Sequence, residues 1–121
     1  MYSISTETVF RGKHHLVVGG EVEKAHEHDW RVRVTVEATE LDESGLVMDF
    51  CRLAELLAAA VEPLGGAESI NNVPGLSGQN PSAEVVGRYV YERIGPRLEG
   101  RVRLAEVAVE ESPGCWAKYC E

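Results

Sequence analysis

The chain has 121 residues, which is enough for one domain with one hydrophobic core but not for two. Its net charge is -8, and the 12 basic residues are scattered along the sequence, so neither a nucleic acid nor an anionic membrane is expected as a partner. The sequence has no long apolar run, and its polar start, MYSISTETVF, is not typical of a targeting leader. We therefore expect one soluble, cytoplasmic domain over residues 1–121.

The cysteines give little sign of a function. Cys51, Cys115 and Cys120 are odd in number and lack the spacing of paired metal ligands. This pattern argues against a disulfide framework and against a thiolate metal site. We interpret all three as structural thiols of an intracellular protein.

Two strands are predicted at the start of the chain, over residues 2–18 and 26–40, with the Gly-Gly turn of VVGGEVEKA between them. In the second strand apolar and polar residues alternate, which is the period of a strand with one buried face. Its apolar positions are Trp30, Val32, Val34 and Val36. The first strand carries Phe10, His14 and Leu16 on one face.

Three histidines lie near the facing ends of these two strands. His26 and His28 continue the apolar side of the second strand, and His14 lies on one face of the first. If the strands pair, three imidazoles converge into the ligand set of an open zinc site, with a fourth position for water or substrate. The alternative is three ordinary histidines of the core or its rim.

Two helices are predicted in the middle of the chain. Asp49 is the candidate cap of the first helix, which ends before Gly65 and Gly66. The apolar residues at helical spacing in it are Phe50, Leu53, Leu57, Ala60, Val61 and Leu64. Ser82 is the candidate cap of the second helix, over residues 82–95. The residues of this helix that are predicted to point inward are Val86, Tyr89, Val90 and Ile94.

Two more strands complete the predicted fold. Residues 101–111 alternate as a strand, Pro113 and Gly114 turn the chain, and residues 115–121 form a short last strand. The element order β-β-α-α-β-β indicates an α+β domain.

Six short motifs follow one another along the sequence. They are FRGKHHL at 10–16, HEHDW at 26–30, MDF at 48–50, NNVPGL at 71–76, NPSAE at 80–84 and VEES at 109–112. In this order they resemble the 6-pyruvoyl-tetrahydropterin synthase and 6-carboxy-tetrahydropterin synthase family over nearly the whole chain. The resemblance implies the tunnelling fold (T-fold), a four-stranded antiparallel sheet with both helices on one face. It also implies a homo-oligomer, expected as a hexamer of two trimers, in which sheets close into a barrel and active sites lie between subunits.

The resemblance also implies a zinc cofactor and a pterin-like small molecule as ligand. His14, His26 and His28 take the positions of the zinc ligands. Glu111 takes the position of the glutamate that anchors the pterin, whose two parallel N–H donors match the two oxygens of a carboxylate. The sequence supports this role, since Glu111 continues an apolar face of its strand, although an exposed strand end would give the same pattern.

Two residues at the start of the second helix are further candidates for ligand binding. Ser82 and Glu84 belong to the NPSAE motif, and free backbone N–H groups point outward at the start of a helix. The alternative is that they only cap the helix.

The departures from the family pattern concern catalysis. Val22 replaces the family's catalytic cysteine, and Gly66 and Ala67 replace an Asp-His proton relay. A glutamate-bearing branch of the family has the spacing Glu-x-x-His-Gly-His, which EKAHEH reproduces with Glu23 as the candidate general base. Glu68 could replace the relay, or it is an ordinary surface glutamate.

These observations leave two hypotheses for the function. The first is a zinc-dependent lyase or aldolase that acts on a dihydroneopterin derivative with altered chemistry. The second is a catalytically inactive protein that binds a pterin-like ligand. Glu23 favours the first hypothesis, and the residues that line the cleft beside the metal would distinguish the two.

Overall fold

The computed structural model describes residues 1–121. The strands are β1 (Tyr2–His14), β2 (Val17–Val18), β3 (Glu21–Val22), β4 (His26–Ala38), β5 (Arg103–Ser112) and β6 (Cys115–Tyr119). The helices are α1 (Phe50–Gly66) and α2 (Ala83–Ile94), and short 3₁₀ turns lie at Ile70–Asn72 and Gly95–Arg97. The predicted order of two strands, two helices and two strands is confirmed, with a small extra hairpin formed by β2 and β3. Neither helix has the combination of length and hydrophobicity that a membrane-spanning helix needs.

The main sheet is antiparallel and has the order β1-β4-β5-β6. Strands β1 and β4 pair over their full length, from Tyr2 opposite Ala38 to His14 opposite His26. Strand β4 therefore crosses the centre of the sheet, and β1 and β6 are its two edges. This register brings the histidine ends of both strands to one end of the sheet.

The first strand is shorter than predicted, because it ends at His14 and not at residue 18. The side-chain amide of Asn80 binds both backbone groups of Val17, with hydrogen bonds of 2.8 and 2.9 Å. Gly19 and Gly20 then turn the chain with φ values of 60° and 82°, which glycine adopts readily. The residues after His14 thus leave the main sheet and form the β2-β3 hairpin.

The hydrophobic core lies between one face of the sheet and the two helices. The predicted alternation in β4 is confirmed, since Trp30, Val32, Val34 and Val36 are fully buried. Burying one valine of this kind contributes roughly 1.5–3 kcal/mol to folding. The polar residues between them lie on the opposite face of the sheet, which no helix covers.

The predicted cap of helix α1 is confirmed, and so are most of the residues predicted to form its buried face. Asp49 accepts a 2.8 Å hydrogen bond from the amide of Cys51. The prediction for Phe50 is wrong, because this first helical residue is 56% exposed and is not part of the hydrophobic core. The predicted end is also wrong, since the helix continues to Gly66. A side chain at Gly65 would lie 3.3 Å from Cβ of Phe10, so the glycine lets this last turn pack against β1.

Helix α2 begins and packs as predicted. The hydroxyl of Ser82 accepts a 3.2 Å hydrogen bond from the amide of Val85, which caps the helix. All four residues predicted to point inward are buried: Val86, Tyr89, Val90 and Ile94. Strand β5 then runs to Ser112, and an irregularity in its pairing with β6 lies between Glu110 and Ser112.

Candidate metal centre and adjoining cavity

The structure brings the three predicted histidines together. His14 is the last residue of β1 and lies opposite His26, the first residue of β4, while His28 lies two positions further along β4. The rings are 4.4 to 5.3 Å apart, measured between centroids, and meet nearly edge to face. The antiparallel pairing of β1 with β4 is therefore sufficient to bring the three imidazoles together.

Backbone carbonyl groups determine which nitrogen of two histidines carries the proton. Nδ1 of His14 lies 2.8 Å from the carbonyl oxygen of Pro81, and Nδ1 of His26 lies 3.0 Å from that of Lys24. A carbonyl oxygen can only accept a hydrogen bond, so each Nδ1 donates its proton. In the neutral rings both Nε2 atoms then present lone pairs, yet they face one another at 3.0 Å.

Glu111 adds a fourth acceptor to this cluster. Its Oε1 atom lies 3.1 Å from Nε2 of His14 and 3.3 Å from Nε2 of His28. Nε2 of His28 is buried and has no hydrogen-bond partner. One ligand atom from each of His14, His26, His28 and Glu111 lies within 4.8 Å of the others. Lone pairs and a carboxylate that converge in this way repel one another unless a cation lies between them.

The spacing of these atoms fits a small divalent metal ion. Zinc binds imidazole nitrogen at about 2.0–2.1 Å, and a regular tetrahedron of that radius has edges of about 3.3 Å. The contacts of 3.0, 3.1 and 3.3 Å within the cluster are close to this value. Burial lowers the pKa of His28, with the neighbouring charge of His26 acting in the same direction and Glu111 opposing it. A lowered pKa keeps the ring neutral, which is the form that binds a metal.

Tight packing holds the buried member of the cluster in place. His14 is fully buried, and its ring lies edge-on to Trp30 with 4.8 Å between centroids. The indole N–H of Trp30 donates a 3.1 Å hydrogen bond to the carbonyl of Gly12. A Cβ atom at Gly12 would lie 2.8 Å from Cδ1 of Ile70, so a side chain there would force its neighbours to shift. Gly12 thus leaves room for the side chains of Trp30 and Ile70.

An open cavity of about 390 Å³ adjoins the cluster. His28 and Glu111 line it together with residues from the uncovered face of the sheet. The other lining residues are Val9, Arg11, Glu27, Asp29, Arg31, Glu110, Ser112 and Pro113. The cavity is therefore mostly polar and connects the histidines with the face of the sheet that the helices leave open.

Glu23, the predicted base, lies on the other side of His26. Its Oε1 atom accepts a 3.2 Å hydrogen bond from the amide of Leu16 and is 3.6 Å from Nδ1 of His26. It is thus next to the nitrogen that points away from the cluster, and it does not line the cavity beside His28. Val22 is 71% exposed at the end of β3.

The remaining candidate residues do not reach the cavity. Gly66 ends α1, and a Cβ atom there would touch nothing within 4 Å. Ala67 follows it, and Glu68 is exposed. The hydroxyl of Ser82 is engaged as the cap of α2, and Glu84 is exposed in the first turn of that helix.

Sequence reasoning missed two asparagines that position the site. The side chain of Asn71 binds the amide and the carbonyl of His15, each at 3.0 Å, and Asn80 binds Val17 in the same way. The two amides hold the segment that follows His14. Both asparagines belong to motifs of the sequence, NNVPGL and NPSAE, which indicated that these residues matter. The motifs do not reveal which backbone groups the side-chain amides bind.

Comparison with known proteins agrees with this architecture. The 6-pyruvoyl tetrahydropterin synthase family matches residues 3–121, so the chain belongs to this family. The structure of 6-pyruvoyl tetrahydropterin synthase from Caenorhabditis elegans superposes with a TM-score of 0.82 at 18% identity, covering 100% of this chain and 97% of that one. The predicted T-fold is therefore confirmed.

Two curated relatives are similar over most of their length. The chain is 31% identical over 97 residues to dihydroneopterin monophosphate aldolase of Pyrococcus furiosus, covering 80% of this chain and 79% of the relative. It is 28% identical over 105 residues to 6-carboxy-5,6,7,8-tetrahydropterin synthase of Bacillus subtilis, covering 83% and 70%. The relatives of this chain are thus enzymes of pterin metabolism.

Proposed function

We propose that the chain binds zinc through His14, His26 and His28 and cleaves the side chain of a dihydroneopterin-type pterin in an aldolase reaction. The observation that carries this proposal is the convergence of unprotonated histidine nitrogens, with Nε2 of His14 and His26 only 3.0 Å apart. The similarity to an archaeal dihydroneopterin monophosphate aldolase supports the reaction type.

The pterin ring is proposed to bind in the cavity beside His28, with Glu111 as its anchor. The volume of about 390 Å³ lies within the range of small-molecule sites, about 300–1,000 Å³. The carboxylate of Glu111 would accept the ring N–H and the amino N–H as two parallel hydrogen bonds, which also gives specificity for this ring. Ser82 and Glu84 do not line this cavity, and they remain candidates for contacts with a part of the ligand that extends to the start of α2.

The proposed reaction needs one base. Glu23 removes the proton from the hydroxyl on the second side-chain carbon, and the bond between the first and second carbons breaks. The electron pair passes to the first carbon and the adjoining ring, this carbon takes the proton back, and a small aldehyde leaves. Zinc, when bound, would polarise the side-chain hydroxyls and lower their pKa. To act in this way, the carboxylate of Glu23 must leave the amide of Leu16.

The second candidate function is binding of a pterin-like ligand without catalysis. The observation in its favour is that Glu23 does not line the cavity, while Val22, Gly66 and Ala67 cannot transfer protons. Both functions require the same metal ligands and the same role for Glu111, so they differ only in the role of Glu23.

We also propose that the protein forms a closed homo-oligomer, with a hexamer of two trimers as the expected form. The outer edges of β1 and β6 have no partner strand within the chain. Exposed strand edges are protected in most proteins by pairing or closure, and edge-to-edge pairing of subunits would cover both of these.

The reaction is tested by incubating zinc-loaded protein with 7,8-dihydroneopterin monophosphate and separating the products by chromatography. We expect a 6-hydroxymethyl pterin and a small aldehyde, and little or no 6-pyruvoyl or 6-carboxy product, because the thiol and the relay are absent. In Glu23→Gln the rate should fall by about 10²- to 10⁴-fold with unchanged zinc content. Glu21→Gln, an exposed carboxylate of the same hairpin, is the matched control. Pterin binding without turnover would favour the ligand-binding function.

A further inference from the structure

Glu111 differs from the other carboxylates around the cavity in what surrounds it. Glu110 accepts a 2.8 Å hydrogen bond from the amide of Gly114 and lies 3.4 Å from the guanidinium of Arg31. Glu27 and Asp29 both lie within 4 Å of Arg11, at 3.7 and 3.2 Å. The only basic side chains with a nitrogen atom within 4 Å of the Glu111 carboxylate are His14 and His28.

These histidine nitrogens are unsuited to bind a carboxylate directly. The proton of His14 is on Nδ1, because that atom donates to the carbonyl of Pro81. Nε2 of His14, at 3.1 Å from Oε1 of Glu111, is therefore an acceptor in the neutral ring. Nε2 of His28, at 3.3 Å from the same oxygen, is buried and forms no hydrogen bond with it. An anionic oxygen that faces such nitrogens at 3.1 and 3.3 Å has the position of a ligand that shares a cation with them.

We infer that Glu111 is the fourth ligand of the metal in the ligand-free protein and that it leaves the metal when a pterin binds. This inference rests on the proposed metal at the three histidines. A site with four protein ligands is closed, whereas a site with three keeps a position for water or substrate. Glu111 thus converts a closed centre into an open one, in response to the ligand.

Glu111 must leave the metal when a pterin binds, because one carboxylate cannot hold the metal and both N–H donors of the pterin at the same time. To anchor a pterin, Glu111 must direct both oxygens at two parallel N–H donors in the plane of the ring. With Oε1 directed at the histidines it cannot do so. Because Glu111 and His28 both line the cavity, the carboxylate can turn from one partner to the other without crossing a packed region. The metal therefore becomes accessible to the side-chain hydroxyls only when the ring is in place.

Cobalt(II) bound to the full chain provides the test, because its visible spectrum reports the ligands of the metal. Water on a three-histidine centre ionises with a pKa of about 7, so an open site changes its spectrum around that pH. We expect the spectrum of the wild-type protein to stay constant from about pH 6.5 to about 9, since no water is bound. In Glu111→Ala the spectrum should titrate with a midpoint of about 7. Glu106→Gln, on the same strand but paired with Lys118 at 3.5 Å, is the matched control and should behave like the wild type.

Metal affinity and added ligand give two further measurements. Competition with a chelator should show that Glu111→Ala and Glu111→Gln bind cobalt at least about 10-fold more weakly than Glu106→Gln. Neopterin added to the wild-type cobalt protein should change the visible bands. A wild-type spectrum that already titrates near pH 7, equal affinity in the Glu111 variants, or neopterin binding with unmoved bands would overturn the inference. If the wild-type protein does not bind cobalt at all, the proposed metal site is refuted together with the inference. Failure of the inference alone is thus distinguished from failure of the metal site.

Discussion

The two faces of the sheet differ in how their ionisable side chains are paired. On the uncovered face, the arginines of β4 lie beside acidic residues of both neighbouring strands, with Arg33 at 2.6 Å and Arg31 at 3.4 Å from Glu7. Arg11 and Asp29 form a further pair at 3.2 Å. On the helix face, three imidazoles and the carboxylate of Glu111 converge, and no lysine or arginine forms an ion pair with this carboxylate. Charges are thus paired on the uncovered face, whereas the helix face collects acceptors that could hold a metal ion.

The largest expected effect is loss of metal from the helix face. His26→Ala should reduce bound zinc from about one ion per chain to almost none, because two imidazoles and one carboxylate form a much weaker site. Elemental analysis of dialysed protein measures this. His15→Ala is the control, since His15 adjoins His14 in sequence but interacts with Asn71 and is outside the cluster. Equal zinc in the two variants would show that the histidine cluster is not the site.

The next effect concerns the ligand that Glu111 is proposed to anchor. Glu111→Gln keeps the shape of the side chain but replaces one acceptor by a donor that faces a donor. The affinity for a reduced pterin, measured by calorimetry with zinc-loaded protein, should therefore fall by about 2 kcal/mol or more. Glu106→Gln should leave this affinity unchanged. If Glu111→Gln binds as tightly as the wild type, Glu111 does not anchor the ring.

Packing around His14 should be sensitive to a single methyl group. Gly12→Ala places a Cβ atom 2.8 Å from Ile70 and 3.2 Å from the indole nitrogen of Trp30. We expect a loss of about 1–3 kcal/mol in the free energy of unfolding, measured by urea denaturation. Gly66→Ala is the matched control, because its new methyl group meets nothing within 4 Å. It should be neutral or more stable by up to about 1 kcal/mol. Equal changes in both variants would contradict the packing described for Gly12.

The smallest expected effect is on the pH dependence of folding stability, to which His28 on the helix face and Glu7 on the uncovered face contribute in different pH ranges. Burial lowers the pKa of His28 below its usual 6.5. Just below pH 6.5 the ring is therefore protonated in the unfolded chain but still largely neutral in the metal-free native state. Stability of the metal-free protein should therefore fall as the pH drops below 6.5. Hydrogen bonding to Arg33 lowers the pKa of Glu7 below 4.5, and this contribution is present above pH 4.5 and is lost only as the pH falls further.

Urea unfolding at a series of pH values can assign these two steps. His28→Asn should remove the first decline, and Glu7→Gln should remove the second. If His28→Asn leaves the decline below pH 6.5 intact, another group causes it, and the described environment of His28 is wrong.

The sequence predicted the features that depend on local periodicity. The alternation in β4 correctly gave its buried face and placed His26 and His28 on that face, and the caps Asp49 and Ser82 correctly gave the starts of both helices. The same reasoning failed for Phe50, because helical spacing identifies a stripe but not where the covering residues end.

The parts of the site that could not be predicted depend on contacts distant in the chain. The proton position on His14 depends on the carbonyl of Pro81, 67 residues away, and no side chain signals this contact. The end of β1 depends on Asn80, 63 residues from Val17. Alternation predicted that Glu111 continues the apolar face of β5, but it does not reveal that Oε1 of Glu111 lies 3.1 Å from Nε2 of His14, on a strand distant in the sequence.

A crystal structure of zinc-loaded protein, with anomalous diffraction at the zinc absorption edge, tests the central claim most directly. The account predicts a single strong anomalous peak per chain, bonded to Nε2 of His14, His26 and His28 at about 2.0–2.1 Å, with an oxygen of Glu111 as the next ligand when no pterin is bound. The Nδ1 atoms of His14 and His26 should keep their hydrogen bonds to the carbonyls of Pro81 and Lys24. A zinc peak elsewhere, or no peak among these histidines after zinc loading, would contradict it.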